Sequence, residues 1–185
     1  MTYEHAEGFK IRDQGATHFL TFTTVGWIDI FSRQSYRDII LDSLSFCRKE
    51  KGLSLGAYVI MTNHLHLIWR AKKNNLSNLI RDFKSFTSKR IISEITKGKE
   101  SRRDWLLHMF EYYKNRSSGN DYFKVWTSDN HPEQIFSHEF MHSKLRYIHE
   151  NPVRAGFVRE PCQYLYSSAM NYATGSGLIE IDFLY

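Results

Sequence analysis

Hydrophobic and polar positions alternate with a period of two in three segments of the chain, 17–25, 53–61 and 62–69. These segments are rich in β-branched and aromatic residues, so the pattern predicts three strands. A tight connection at 61–63 predicts that the second and third strands form a hairpin. Strict alternation would place one apolar side of the second strand on the core, formed by Leu53, Leu55, Ala57, Val59 and Met61.

Apolar positions recur elsewhere with the helical period of 3.6. They predict helices over the segments 35–51, 75–95, 103–113, 137–149 and 163–172. Gly52 suits the C-terminal cap of the first helix, because glycine readily adopts the left-handed conformation in which many helices end. Pro152 is expected to stop the fourth helix, because the residue before a proline avoids helical dihedral angles.

The order strand, helix, strand, strand, helix is that of a split βαβ unit that lacks one strand. The segment 123–127, Phe-Lys-Val-Trp-Thr, is the best candidate for the fourth strand. We therefore predict an α+β fold, a ferredoxin-like antiparallel sheet with helices on one face and additional C-terminal helices. A length of 185 residues fits a single domain, 1–185, with its core at about 17–172.

Composition changes this picture in two respects. Hydrophobic residues make up 42% of the chain, as in an ordinary globular protein, but the net charge of +5 favours a polyanionic partner. Two cysteines, Cys47 and Cys162, cannot build a disulfide framework, so a reducing cytoplasm is the expected location. The segment 1–10 has no apolar leader, and no run approaches the ~20 apolar residues of a membrane span. No membrane partner is expected.

The third strand carries the first candidate for chemistry, His64-Leu65-His66. Residues two apart share one face of a strand, so both imidazoles project together while Asn63, Leu65, Leu67 and Trp69 occupy the core-facing side. Histidine is a common ligand of transition metals, and this placement would hold two ligands rigidly. The pattern alone fits equally well two polar residues on a half-exposed sheet.

The second candidate lies on the fourth predicted helix. Lys144, Tyr147 and Asn151 share one helix face, so a phenol, an ammonium group and an amide are presented together. Other interpretations stay open. Tyr147 could be a half-buried aromatic residue, and Asn151 could cap a helical turn that starts at Pro152.

Three separated motifs carry a resemblance to a known family. They are His64-Leu65-His66, the segment 82–90 (Asp-Phe-Lys-Ser-Phe-Thr-Ser-Lys-Arg), and the segment 144–158 with Tyr-Ile-His-x-Asn-Pro-Val-Arg-Ala-Gly. In this order they resemble the single-tyrosine (Y1) HUH transposases, and most closely the REP-associated tyrosine transposases, relatives of the IS200/IS605 enzymes. The resemblance covers roughly 17–172.

The resemblance implies a metal-dependent endonuclease and transposase that cleaves and rejoins single-stranded DNA through a 5′-phosphotyrosine intermediate. By position, Tyr147 matches the nucleophile, and His64, His66 and Asn151 match the ligands of a divalent metal, Mg²⁺ or Mn²⁺. The implied partner is single-stranded DNA with a hairpin, met in the bacterial cytoplasm at the nucleoid. Relatives work as homodimers or as monomers, so both states stay open. The target sequence and a mobile or host-adopted role are not encoded in these motifs.

Basic residues in and near these motifs are candidates for DNA binding. A charged helix face is usually only solvated, but here part of it falls within a shared motif. Lysine and arginine would contact phosphates, and an aromatic side chain would stack on unpaired bases. The predicted DNA contacts are Arg81, Lys84, Ser88, Lys89, Arg90, Lys124, Trp126, Lys144 and Arg154.

Two alternatives accompany this interpretation. The first is a non-catalytic nucleic-acid-binding module on the same sheet, in which the histidines and the tyrosine only stack or donate hydrogen bonds. The second is a zinc hydrolase, because His138-Glu139-Phe140-Met141-His142 satisfies the H-E-x-x-H pattern and His149 could supply a third ligand. Short motifs match often by chance, and the second alternative gives His64 and His66 no role.

Overall fold

The computed structural model describes residues 11–117 and 122–184. Its centre is a four-stranded antiparallel sheet in the order β2-β3-β1-β4. The predicted α+β fold and the β2–β3 hairpin are confirmed. The strands are β1 His18–Thr23, β2 Leu53–Ile60, β3 His64–Ala71 and β4 Glu133–Gln134.

Five α-helices accompany the sheet in the described ranges. The first continues through a π-helical turn at Cys47–Lys51 and ends at Gly52, whose φ of 77° confirms the predicted left-handed cap. None of the helices in this part of the chain is long and apolar enough to cross a membrane. The helices are α1 Gln34–Phe46, α2 Leu76–Lys97, α3 Arg103–Asn115, α4 His138–Arg154 and α5 Ala169–Thr174.

Both faces of the sheet are covered. The larger core lies between one face and the helices α1 and α2, and Leu65, Leu67 and Trp69 of β3 point into it as predicted. The opposite face carries a smaller apolar cluster against α4, in which Phe19 and Ile68 of the sheet meet Ile148 of the helix. Because residues alternate along β3, the two histidines lie on the α4 side.

Strand β2 changes face at Gly56. Its pairing with β3 shifts register between Leu55 and Ala57, as in a β-bulge. Leu53 and Leu55 therefore belong to the larger core, whereas Ala57 and Val59 belong to the cluster under α4. The expectation that all five apolar residues share one side is wrong, because one extra residue reverses the alternation.

The fourth strand lies later in the chain than predicted. Residues 133–134 pair with His18 and Phe19, whereas the predicted segment 123–127 makes a single bridge between Trp126 and Thr24. That segment still runs beside the end of β1, since the Val25 N–H donates to the Val125 carbonyl at 2.9 Å. Both segments run along the same edge of β1, but regular strand pairing forms only at residues 133–134.

Helix α4 does not stop before Pro152, so that prediction is wrong. It continues to Arg154 with the proline inside it. Proline cannot donate the bond that a helix would send to the Ile148 carbonyl. The Pro152 ring is buried, and the apolar contact offsets that missing bond. Asn151 consequently lies within the helix, and the capping role considered for it is also wrong.

The C-terminal part of the chain runs along the outer edge of β2. The Ile60 N–H donates to the Tyr166 carbonyl and the Ser168 N–H donates to the Tyr58 carbonyl, both at 2.9 Å. Further along the strand, the Asp182 N–H donates to the Leu55 carbonyl at 2.8 Å. The helix predicted over 163–172 is present in part, as α5 from Ala169 onward.

Candidate active site

His64 and His66 lie side by side on the sheet face that α4 covers. Their ring centroids are 4.8 Å apart, and on β1 Thr23 and Thr21 stand directly opposite them. His66 is 6% exposed, and His64 is half-buried. His66 is thus more enclosed than a polar residue on a half-exposed sheet face, the alternative considered above.

Tyr147 of α4 reaches the same place. Its ring centroid lies 5.1 Å from that of His66 and 5.8 Å from that of Phe19, in edge-to-face arrangements. The residue is 39% exposed, so a ligand from solvent can approach the phenol. A single chain therefore brings two imidazoles from β3 and a phenol from α4 together, and no second copy has to supply the tyrosine.

Hydrogen bonds fix the orientation of both imidazoles. The Asn63 amide nitrogen donates to the Trp27 carbonyl at 3.3 Å, so the Asn63 Oδ1 faces His64 Nδ1, 2.7 Å away. His64 Nδ1 must then carry the proton, which leaves a lone pair on Nε2. His66 Nδ1 lies 2.9 Å from Thr21 Oγ1. Such partners on the second nitrogen orient histidines that bind metals.

Both histidines are neutral at pH 7. Burial, together with the proximity of His64, Arg154 and Lys144, lowers the pKa of His66 to about 3. Burial also lowers the pKa of His64. Neutral imidazoles are the form that binds metal ions, so the pair is available as two nitrogen ligands.

A third ligand of another residue type is needed. Among the described residues, no group of three or more His, Cys, Asp or Glu side chains could hold a metal ion. Amide and phosphate oxygens suit Mg²⁺ and Mn²⁺. Asn151 follows Tyr147 by one helical turn and is half-buried on the same helix face. The two neutral imidazoles fit a divalent ion, and Asn151 stays the predicted third ligand.

Two cations, Arg154 and Lys144, lie near the site, and both lower the pKa of His66. The Arg154 guanidinium lies 4.4 Å from the Tyr147 ring centroid and donates to the Tyr147 carbonyl at 3.1 Å. Lys144 Nζ forms an ion pair with Glu133 at 2.6 Å, whereas the carboxylate nearest Arg154, that of Glu150, is 3.9 Å away. Arg154 is therefore the cation with more of its charge available to an incoming phosphate.

A groove of about 860 Å³ lies between α2 and the segment 122–130. Arg81 and Lys89 are exposed along it, which gives the groove a basic rim. Arg90 is exposed on the same helix but is not part of the lining, and it lies 6.0 Å from the Phe86 ring centroid. Most of the predicted DNA contacts outside α4 line this groove: Arg81, Lys84, Ser88, Lys89, Lys124 and Trp126.

The structure corrects the expected roles of two groove residues. Lys84 Nζ donates to the Thr127 carbonyl at 2.9 Å and contacts the Asn130 amide, and burial lowers the pKa of Lys84 to about 7. Lys84 thus fastens the segment 127–130 to α2. Trp126 is 4% exposed, and its indole N–H donates to Thr87 at 3.0 Å. Its ring packs in the core, so it offers no surface on which a base could stack.

The H-E-x-x-H motif has no metal-binding surroundings in the described part of the chain. His138 and His142 are exposed on the first turns of α4. The proposed third ligand, His149, faces another way, with Nε2 2.9 Å from Ser168 Oγ. The zinc hydrolase alternative is therefore not supported.

His149 provides a test of this packing. Burial lowers its pKa to about 4, whereas an unfolded histidine titrates near ~6.5. Protons thus bind His149 more tightly in the unfolded chain than in the folded one. The contribution of neutral His149 to stability is complete above pH ~6.5 and is lost as the pH falls toward 4. We expect His149 alone to lower the free energy of unfolding by about 2 kcal/mol between pH 7 and 5. Urea denaturation at both pH values measures this loss.

The variant His149→Gln should lose correspondingly less stability over the same interval. His138→Gln, a change at an exposed histidine of the same helix, should keep the wild-type pH dependence. Equal losses in the wild type and in His149→Gln would contradict the assignment.

Two residues of the site were not foreseen. Asn63 was expected on the core side of the strand, but it lies in the hairpin turn and orients His64. Trp27 was not singled out, yet its ring centroid is 6.3 Å from that of His64. Asparagine in a tight connection and glycine before Trp27 are both turn signals. They locate turns but do not reveal which side chains a turn brings to the histidines.

Comparisons with known proteins identify the family and support the fold. The family described as IS200-like transposases matches residues 20–137, a range that includes both histidines and ends before Tyr147. A solved structure of a REP-associated tyrosine transposase bound to a REP hairpin has a TM-score of 0.56 at 18% identity, with 100% of this chain and 92% of that chain covered. A candidate transposase from Deinococcus radiodurans R1 has a TM-score of 0.46 at 16% identity, with 82% and 97% covered. No curated protein matches.

The family match and the fold define the class of protein, a transposase built on a four-stranded antiparallel sheet. The family match extends over more than half of the sequence. The chain belongs to the IS200-like, single-tyrosine transposase family, and the resemblance noted from its motifs is confirmed.

Proposed function

We propose that this transposase cleaves and rejoins single-stranded DNA through a covalent 5′-phosphotyrosine intermediate on Tyr147. The observation that carries the proposal is the meeting of His64, His66 and Tyr147, whose successive ring centroids are 4.8 and 5.1 Å apart. A nucleophile beside two neutral nitrogen ligands is suited to attack on a phosphate that a metal ion polarises.

The proposed step exchanges one phosphoester for another. The phenol oxygen of Tyr147 bonds to the scissile phosphorus, and its proton leaves to solvent. The bond from phosphorus to the 3′ oxygen of the upstream nucleotide breaks, and that oxygen takes up a proton to become a free 3′-hydroxyl. Because the number of phosphoester bonds is unchanged, a different 3′-hydroxyl can reverse the step and join two strands without ATP.

The residues around Tyr147 help the phenol to react. Attack on a phosphate increases the negative charge at the site, so a nearby positive charge would assist the reaction. Arg154, 4.4 Å from the ring centroid, supplies one. A divalent ion, Mg²⁺ or Mn²⁺, held by His64, His66 and Asn151 would act as a Lewis acid on the scissile phosphate.

The proposed substrate is single-stranded DNA next to a hairpin. The REP-associated transposase of similar fold is bound to a REP hairpin, and this chain carries a net charge of +5. Arg81, Lys89 and Lys124 along the groove would contact phosphates, with Ser88 between them, and Arg90 would add a contact outside the lining. Phosphate contacts set position and affinity without reading sequence. Lys144 and Arg154 would meet the DNA at Tyr147.

Covalent capture tests the proposal. The wild-type protein is incubated with Mn²⁺ and a pool of oligonucleotides, each with a stable hairpin between randomised single-stranded flanks, and is then denatured. We expect a protein–DNA adduct that retains a label at the 3′ end of the DNA and releases a label at the 5′ end, because the tyrosine holds the 5′ side of the break.

Chelation of the metal with EDTA should abolish the adduct. An adduct of the opposite polarity would overturn the 5′-phosphotyrosine. Tight binding of the pool with no adduct at any metal concentration would overturn catalysis and favour a non-catalytic nucleic-acid-binding module.

A further inference from the structure

Trp27 is an exposed aromatic residue beside the histidine pair. It is 67% exposed, and its indole lies edge to face with the His64 imidazole at 6.3 Å between centroids. A large apolar ring left in water gains nothing from the hydrophobic effect. Its position therefore requires an explanation other than packing in the core.

The backbone that presents this ring is strained. Gly26 and Trp27 are both left-handed, with φ of 59° and 54°. Glycine adopts this conformation freely and is needed here, because a Cβ at position 26 would come within 2.6 Å of the Tyr113 hydroxyl. For a bulky residue such as tryptophan this conformation is an energetically unfavourable outlier. Strain of this kind persists where the surroundings hold it in place.

A chain of hydrogen bonds connects Trp27 to His64 and holds the backbone of Trp27 in this conformation. The Trp27 N–H donates to the Thr24 carbonyl at 3.2 Å, and the Trp27 carbonyl accepts from the Asn63 amide at 3.3 Å. The other end of that amide holds His64 Nδ1. Thr24 Oγ1 donates to the Asn63 carbonyl at 3.0 Å. The backbone of Trp27 is thus held close to His64, and its indole contacts the imidazole edge to face.

We infer that Trp27 is a binding residue on which an unpaired base next to the scissile phosphate stacks. This inference rests on the proposed function. A base is the occupant that the surroundings favour, because Arg154 and Lys144 attract a polyanion to Tyr147 and a strand that places a phosphate there brings its neighbouring bases within reach of an exposed ring. Stacking on an aromatic ring tolerates every base, since each has a π-face.

Binding of two probes tests the inference. One is a 20-nucleotide oligothymidylate, and the other is a 20-residue abasic strand with the same phosphates. We expect Trp27→Asn to bind oligothymidylate at least about fivefold more weakly, as for the loss of one base–aromatic stack. Its affinity for the abasic strand should be unchanged. Trp27→Phe, which retains a ring, should keep most of the affinity of the wild type.

The choice of asparagine separates binding from folding. Asparagine tolerates the left-handed conformation, so Trp27→Asn should melt no lower than the wild type. A purely structural role for Trp27 predicts the opposite, a lower melting temperature. The matched control is Trp105→Asn, a change at an exposed tryptophan of α3, which should leave the affinity for both probes unaltered.

The outcomes also separate this inference from the proposed function. If Trp27→Asn binds both probes as the wild type does while the wild type still forms the covalent adduct, the stacking role is wrong and the proposed function stands. Equal weakening on both probes would assign Trp27 to phosphate placement or folding and would also overturn stacking. Failure of the wild type to bind either probe would overturn the stacking role, whereas the proposed function is decided by the adduct with the hairpin pool.

Discussion

Replacement of Tyr147 by phenylalanine is expected to abolish the covalent DNA adduct, a fall of at least about 10³-fold in its rate of formation. The change removes only the hydroxyl, and the ring keeps its contacts with His66, Phe19 and Arg154. Affinity for hairpin DNA should therefore stay within about threefold of the wild type. Adduct formation is followed on denaturing gels, and binding is followed by fluorescence anisotropy.

Tyr112→Phe is the matched control for this change. Tyr112 is 44% exposed on α3, close to the 39% of Tyr147, and its hydroxyl accepts a hydrogen bond from Arg116 at 2.9 Å. It should form the adduct at the wild-type rate. Adduct formation by Tyr147→Phe at an undiminished rate would remove the proposed nucleophile and with it the proposed mechanism.

The second large effect is expected at the histidine pair. His64→Ala and His66→Ala should each lower the affinity for Mn²⁺ by at least about 10²-fold, because even the second-shell partners of metal ligands contribute about 10- to 100-fold. Each variant removes one of the two proposed nitrogen ligands of β3, whose ring centroids are 4.8 Å apart. Isothermal titration with Mn²⁺ measures the loss without reference to activity, and circular dichroism checks that each variant is folded.

His142→Ala provides the comparison, because His142 is an exposed histidine of the H-E-x-x-H motif. It should bind Mn²⁺ as the wild type does and should still form the adduct. The reverse pattern, with metal binding lost in His142→Ala and kept in His64→Ala, would refute the site on β3 and revive the zinc hydrolase.

Local periodicity was sufficient to predict the strand that carries the histidines. Alternation over 62–69 places Leu65 and Leu67 on the opposite face of the strand from His64 and His66. In the structure, Leu65 and Leu67 lie in the larger core. The distance between that strand and Tyr147 could not be predicted in this way. It depends on how α4 packs across the sheet, and only the family motifs suggested that the two would meet.

The errors arose where tertiary packing overrode a local rule. Pro152 was expected to end a helix, but burial of its ring keeps it within α4. Lys84 was predicted to contact DNA from its place in a shared motif and Trp126 from its residue type. In the structure, Lys84 holds the segment 127–130 against α2 and Trp126 donates to Thr87 in the core. Residue type limits the interactions that a side chain can make, whereas burial in the fold determines which of them it makes.

The course of the C-terminal residues along β2 has a consequence for assembly. Unpaired edge strands attract strands of other chains and promote aggregation. Here the outward-facing backbone groups of Leu55, Tyr58 and Ile60 already form hydrogen bonds with the C-terminal segment. The opposite edge of the sheet is formed by the two-residue strand β4. Another copy could add a strand beside β2 only if the C-terminal segment first detached. The C-terminal segment therefore opposes extension of the sheet by another copy at β2.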